Sequence, residues 1–326
     1  LRGERQEKVG TPIMGGLLII LTVTVITLLF NWDRRYTYVP IGVMAIAALL
    51  GAADDLLNIF GVERRVRAWH QVIKLIKVHK NWYMRVWLVI TLPWTAFQRL
   101  TGMFGSHPGK GVHVHEKLIL QFLAGAVAAW WVYVKLGTSW HSLWMPFDGQ
   151  VQIGWWIIPV IIFFIMFTAN AVNIADGLDG LAGGSLIITF LALTVICLIE
   201  GRASFAPFNA TVAGALIAYT YFNIKPARFQ MGDVGALGLG ALLAINAIAI
   251  NRTLLLPFLG FIFYIEIFSV IIQVLGRRLL GKRIFKMAPL HHHLELRGWS
   301  EEKIVMRFWI MHAFVVMVGI WVAFYK

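Results

Sequence analysis

The sequence predicts an all-α, polytopic membrane bundle of a single domain over residues 1–326, and three observations carry that prediction. The 326 residues are 59% hydrophobic and only 14% charged, with a mean hydropathy of +0.73, whereas soluble domains carry about a quarter charged residues. Nine apolar stretches are long enough, or nearly so, to cross a bilayer as helices. The polar residues able to do chemistry fall in one alternate set of the segments between them.

A helix rising about 1.5 Å per residue needs about 20 apolar residues to cross the hydrocarbon. On that measure, spans are predicted over 13–31, 38–53, 118–135, 153–171, 181–199, 208–223, 234–250, 254–275 and 304–324. The second is short and closes on "GAADDLLNIF", with the paired acids Asp54 and Asp55. The fourth closes on "NAVNIADGLDGLAGG", which holds Asn170, Asn173, Asp176 and Asp179. The sixth and seventh are joined by "FNIKPARFQMGDVGALG", with Asn223, Lys225 and Asp233. The last follows "MAPLHHHLELRGW", where His291, His292 and His293 stand in a row. No signal peptide is visible at Leu1, and a further upstream piece is expected.

Threading the spans alternately places 1–12, 54–117, 172–180, 224–233 and 276–303 on one side. The opposite side keeps only Arg34, Arg35, Lys135, Arg202, Arg252 and Lys326 of the 29 lysines and arginines. The basic excess makes the first side cytoplasmic, and it survives removal of the long 54–117 segment. The net charge of +13 is therefore read as basic loops facing anionic lipid and substrate, with no nucleic-acid partner. The single cysteine, Cys197, excludes an intrachain disulfide and a cysteine metal cluster. Residues 61–112 are basic and aromatic, and their apolar run from Val86 to Phe97 is too short to span and is interrupted by Pro93. This insertion is expected to lie on the cytoplasmic leaflet.

Five aspartates thus gather at one edge of the membrane, where ionisable residues are costly and usually functional. One aspartate alone reads equally well as a helix cap. Carboxylates, asparagines, lysines and Gly-rich turns suit Mg²⁺, a hard cation held by one or two carboxylates and substrate phosphates. Zinc fits poorly, because His-His-His lacks metal-site spacing. Gly183 and Gly184 are expected to serve helix packing. The pattern reads as phosphoryl transfer at the inner leaflet. A transporter or channel would instead place its acids near mid-bilayer on several spans.

In order along the chain, "GTPIMGG", "GAADD", "NAVNIADGLDGLAGG", "NIKPARFQMGDVGALGLG" and "MAPLHHHLELRGWSEEKIVMRFW" resemble the motifs of the phospho-N-acetylmuramoyl-pentapeptide transferase family. That family lies within the polyprenyl-phosphate sugar-1-phosphate transferases. The resemblance covers nearly all of the chain outside 61–112, and the nine stretches match the family's second to tenth helices, so a preceding helix is expected. It implies transfer of phospho-MurNAc-pentapeptide from UDP-MurNAc-pentapeptide to undecaprenyl phosphate, giving lipid I and UMP, with Mg²⁺ as cofactor. The enzyme would lie in a bacterial cytoplasmic membrane with its cleft facing the cytoplasm; homodimers are common in the family.

By the same resemblance, Asp233 is the principal Mg²⁺ ligand, with Asp54, Asp55 and Asp176 beside it, and one of the paired acids is a proposed base. Gly177, Leu178 and Asp179 border a uridine pocket, while Asn173 and Asn223 line the same cleft. Lys8, Thr11 and Lys117 are expected near phosphates, and His291, His292 and His293 near the sugar-phosphate. A phosphate monoester is already largely ionised at neutral pH, so direct attack needs no dedicated base. This sequence departs from the family pattern at Ile13, where a threonine is usual, at Gln230, where an aromatic commonly stacks on uracil, and at Ala236. Relatives that use UDP-GlcNAc or another sugar nucleotide typically carry a His-x-His-His form in place of the last motif. A scaffold that has lost activity is the reading the departures at Ile13 and Gln230 leave open.

Overall fold

The computed structural model describes residues 10–33, 36–61, 69–102, 111–137 and 140–325. Each of the nine predicted stretches is helical. They form α1 (Gly16–Phe30), α2 (Tyr38–Phe60), α6 (Val114–Lys135), α7 (Ile157–Ala175), α8 (Leu181–Ile199), α9 (Phe205–Asn223), α10 (Gly232–Ala249), the pair α11 (Leu256–Leu259) and α12 (Phe261–Leu279), and α14 (Glu301–Phe324). The insertion adds α3 (Trp69–Val78), α4 (Trp82–Ile90) and α5 (Leu92–Gly102), and the histidine motif forms the short α13 (Leu290–Glu295).

Six of these helices are long and apolar enough to cross a membrane, or seven if the bent pair α11–α12 counts as one span. Helix α1 is apolar but has 15 residues, about 22 Å of rise. Helix α9 carries Asn209, Thr211 and Thr220 along its length and is not among the six.

Helix α10 is the axis of the fold. Every residue from Val234 to Ala249 is buried, against α2, α7 and α1. Its small residues permit this: a Cβ on Gly240 would come within 2.7 Å of the Ala169 Cα on α7. Asn246 donates to Asn209 on α9 at 2.9 Å, a tie between two buried polar side chains. Gly183 and Gly184 prove to be packing positions, set against Thr220 and Trp309.

Two boundaries differ from the sequence reading. The second span was expected to close at 53, but α2 runs on to Phe60 because no glycine or proline interrupts it between Gly51 and Gly61. The stretch 254–275 was read as continuous, yet it breaks at Gly260 with a bend of 87°. The Leu259 carbonyl freed there accepts from Thr189 Oγ1 at 2.6 Å, and Thr189 meets His312 Nε2 at 3.0 Å, so the break is satisfied by neighbouring helices. The fold is all-α as expected, apart from a small antiparallel hairpin, β1 (Ser142–Met145) with β2 (Gly149–Gln152), at the end opposite the aspartates. Phe147 and Gly149, both at positive φ, turn its chain.

Candidate active site

The site is assembled from helix ends. Asp54 and Asp55 share the last turns of α2, and consecutive helical residues point about 100° apart. One carboxylate therefore turns toward α6 and the other toward α10. Asp54 accepts the Val112 amide on Oδ1 at 2.5 Å, and its Oδ2 lies 2.6 Å from Lys117 Nζ and 3.3 Å from Asn58 Nδ2. Asp55 receives the amides of Asp233 and Val234, one on each oxygen, at 3.2 Å. It caps the N-terminus of a helix other than its own, where the macrodipole favours negative charge.

Asp233, in the first turn of α10, is the hub. Lys117 Nζ sits 2.8 Å from its Oδ2, and Asn173 of α7 donates to its Oδ1 at 2.8 Å. Helices α2 and α10 meet here with no side chain between them: a Cβ on Gly51 would lie 2.1 Å from the Asp233 carbonyl oxygen. The two paired acids are sealed, at 3% and 5% exposure, while the side chains of Asp233 and Lys117 each keep 23%. That difference assigns the open face of the cluster to Asp233 and Lys117.

Asp54 Oδ2 and Asp233 Oδ2 thus converge on one cationic atom, Lys117 Nζ. Two hard oxygen donors around one positive charge are what Mg²⁺ takes from a protein when water and substrate phosphates fill its other positions. Among the described residues no group of three or more His, Cys, Asp or Glu is disposed to hold a metal alone, so the donor set fits a cation completed by substrate. Asp55 has both oxygens on amides and is the less available donor.

One helical turn beyond Asn173, Asp176 ends α7, and the chain enters the turn Gly177–Gly180. His291 packs on that turn: a Cβ on Gly177 would lie 2.5 Å from His291 Nε2. Behind the ring, Glu266 of α12 accepts the His291 amide on Oε1 at 3.1 Å, and its Oε2 lies 3.1 Å from Nδ1. The acidic and histidine motifs, more than a hundred residues apart, are therefore one surface. His292 Nδ1 is 2.5 Å from Glu295 Oε2, and His293 Nδ1 accepts from the Lys286 amide at 3.1 Å. Desolvation, then Arg297 and Lys286, hold the His293 ring below its usual pKa.

The remaining predicted residues shape this floor. Asp179 accepts from the Ala227 amide at 3.2 Å, and its own amide donates to Glu301 at 2.8 Å. Asn223 accepts the Gly180 amide at 3.0 Å and donates to the Phe229 carbonyl at 3.0 Å. Leu178 is buried in a satellite core with Leu181, Ile304 and Phe308. Gln230 is half-buried, and its backbone pairs with Pro12 and Gly15, beside the half-buried Thr11. Lys8 lies outside the described residues. Glu266 and Glu301 were missed by the sequence reading. Glu266 is fully buried in an apolar stretch, which is itself the signal that could have found it. Glu301 reads as an ordinary first-turn acid, but it also holds Lys225 at 3.0 Å.

The glycosyl transferase family 4 model matches residues 87–251. A phospho-N-acetylmuramoyl-pentapeptide-transferase of Chloroflexus aurantiacus is 38% identical over 322 residues, covering 96% of this chain and 77% of the relative. The chain belongs to that transferase family. Members from Caldanaerobacter subterraneus subsp. tengcongensis and Latilactobacillus sakei subsp. sakei are 33% and 34% identical, covering 98% and 93% of this chain and 85% and 82% of their own. These matches run over nearly the whole chain.

Proposed function

We propose that this protein transfers phospho-MurNAc-pentapeptide from UDP-MurNAc-pentapeptide to undecaprenyl phosphate, forming lipid I and releasing UMP, with Mg²⁺ as cofactor. The observation that carries this reading is the bridge of Asp54, Lys117 and Asp233, tied to Asn173 at the edge of the turn on which His291 packs. The basic excess on the same loops supports a site facing the cytoplasm of a bacterial cell, with nine crossings of the inner membrane.

In this reading an oxygen of the lipid phosphate attacks the sugar-bound phosphorus of the donor. A new P–O bond forms, the pyrophosphate P–O bond breaks, and the electron pair leaves with UMP. Both reactants are anionic, so holding them in line and offsetting their charge supply most of the acceleration. Lys117 supplies a positive charge at the open face. Asn173 fixes the Asp233 carboxylate, and Asp55 fixes the backbone from which it projects. Glu266 holds the His291 backbone amide and sets its carboxylate beside Nδ1, so that the buried ring supports the Gly177 turn from behind. Asp233 and Asp54 would hold Mg²⁺, which when bound neutralises phosphate charge. No residue needs to act as a base, because the attacking oxygen is already ionised.

The test is UMP release by the purified protein in undecaprenyl phosphate-containing vesicles, comparing UDP-MurNAc-pentapeptide with UDP-GlcNAc. Release from the first donor alone is expected, with loss on chelation and recovery on adding Mg²⁺. Release from UDP-GlcNAc alone would assign the chain to the related sugar-1-phosphate transferases instead.

A further inference from the structure

Helices α3, α4 and α5 take no part in the reaction just described. Residues 61–112 carry nine lysines and arginines against one acid, Glu63. Helix α4 is apolar at every position but Arg85 and buries none of its residues. Its large side chains stand open: Trp82, Trp87 and Ile90 are 74%, 62% and 64% exposed. Lys74 and Lys77, three residues apart on α3, are also exposed, as is Lys80 just beyond it. An exposed apolar helix beside a row of lysines is complementary to a surface that is oily within and negative at its rim.

The insertion also sits where such a surface must be. It leaves the bundle at the last turn of α2 and returns at the first turn of α6, both at the end that holds the acid cluster. Its return is fastened there. Trp94 of α5 meets the His115 ring edge-on at 5.3 Å, two residues before Lys117, and Val112 donates to Asp54. A Cβ on Gly111 would lie 2.6 Å from Asp54 Oδ1, so the chain runs directly over the carboxylate.

We propose that α3–α5 form a docking platform for the anionic phospholipid headgroups of the adjoining leaflet, with α4 seated among the upper acyl chains and Lys74, Lys77 and Lys80 at the phosphates. Its placement rests on reading the bundle as membrane-spanning with this end at the interface, but not on the transferase chemistry.

The full-length chain, carrying Trp87→Cys in a Cys197→Ala background, would be labelled with an environment-sensitive fluorophore. It would be reconstituted in phosphatidylcholine vesicles and in vesicles containing phosphatidylglycerol, each with and without a lipid-borne quencher. A blue-shifted, quenchable emission is expected in the anionic vesicles and a weaker one in the neutral vesicles. Adding Lys74→Glu, Lys77→Glu and Lys80→Glu is expected to lower the docked fraction at least about tenfold in the anionic vesicles. Water-like emission in both vesicle types would overturn the proposal, as would a shift that grows only with protein-to-lipid ratio, which would mark a second copy as the occupant. The emission needs no turnover. A labelled protein that docks but releases no UMP would count against the transferase reading alone.

Discussion

Each end of the bundle holds a cluster of charged side chains, and the two are balanced differently. At the hairpin end, Glu200 meets Arg252 and Arg202, and each arginine also lies over a ring, Trp144 at 4.2 Å and Trp140 at 5.8 Å. One acid faces two cations, and the aromatic faces close over them. At the other end, two carboxylates, Asp54 and Asp233, share one lysine, and a third, Asp55, stands on the amides beside them. The first keeps one surplus positive charge against aromatic faces and ties loops together. The second carries surplus negative charge at a place where two of its members remain open. A cluster with surplus negative charge and an open face is the mark of a site that receives a cation from elsewhere.

Removing charge at the acidic end should give the largest effect. Asp233→Asn is expected to lower UMP release by roughly 10²–10³-fold or more while thermal unfolding in detergent changes little. Near-normal turnover of that variant would detach Asp233 from the chemistry. Glu266→Gln comes next, at roughly ten- to a hundredfold in kcat with KM for the nucleotide donor less affected, because the His291 ring loses its anchor. An equal loss in stability and in the specific activity of the folded fraction would reduce Glu266 to a structural role.

Gly51→Ala tests the crossing itself. The added methyl meets the Asp233 carbonyl, so about 1–3 kcal/mol of stability should be lost, with turnover falling as the carboxylates separate. An unchanged melting temperature would show that the helices can part there without cost. Glu200→Gln, at the hairpin end, sharpens the contrast. It leaves two arginines short of a partner and should cost about 1–3 kcal/mol, yet turnover per folded molecule should not change. A large drop in turnover would erase the distinction between the two ends.

Much of this was legible in the sequence, and the limits have physical causes. Hydropathy found every long helix of the bundle, because hydrophobic length is what a bilayer demands. It could not show the break at Gly260, since Leu259, Phe261 and their neighbours are as apolar as an unbroken span and the carbonyl is satisfied by Thr189 on another helix. Spacing placed Asp54 and Asp55 together as a pair. Their division of labour depends on α2 continuing through them and on α10 arriving from 178 residues away. Lys117 was recognised by resemblance, but its bond to Asp233 spans 116 residues and no local pattern encodes it. Glu266 was visible as a lone acid within oil, and was passed over as part of a span.

The backbone-to-backbone meeting of Gly51 with Asp233 has a mechanical consequence. Where side chains separate two helices, rotamers can give, and the gap breathes. Here main-chain atoms set the gap, so the crossing acts as a pivot. A membrane that thickens or thins makes helices tilt, and tilting about a pivot at one end displaces the far ends most. The hairpin end would sway with the lipid, while the spacing between Asp54, Asp55 and Asp233 would barely register it.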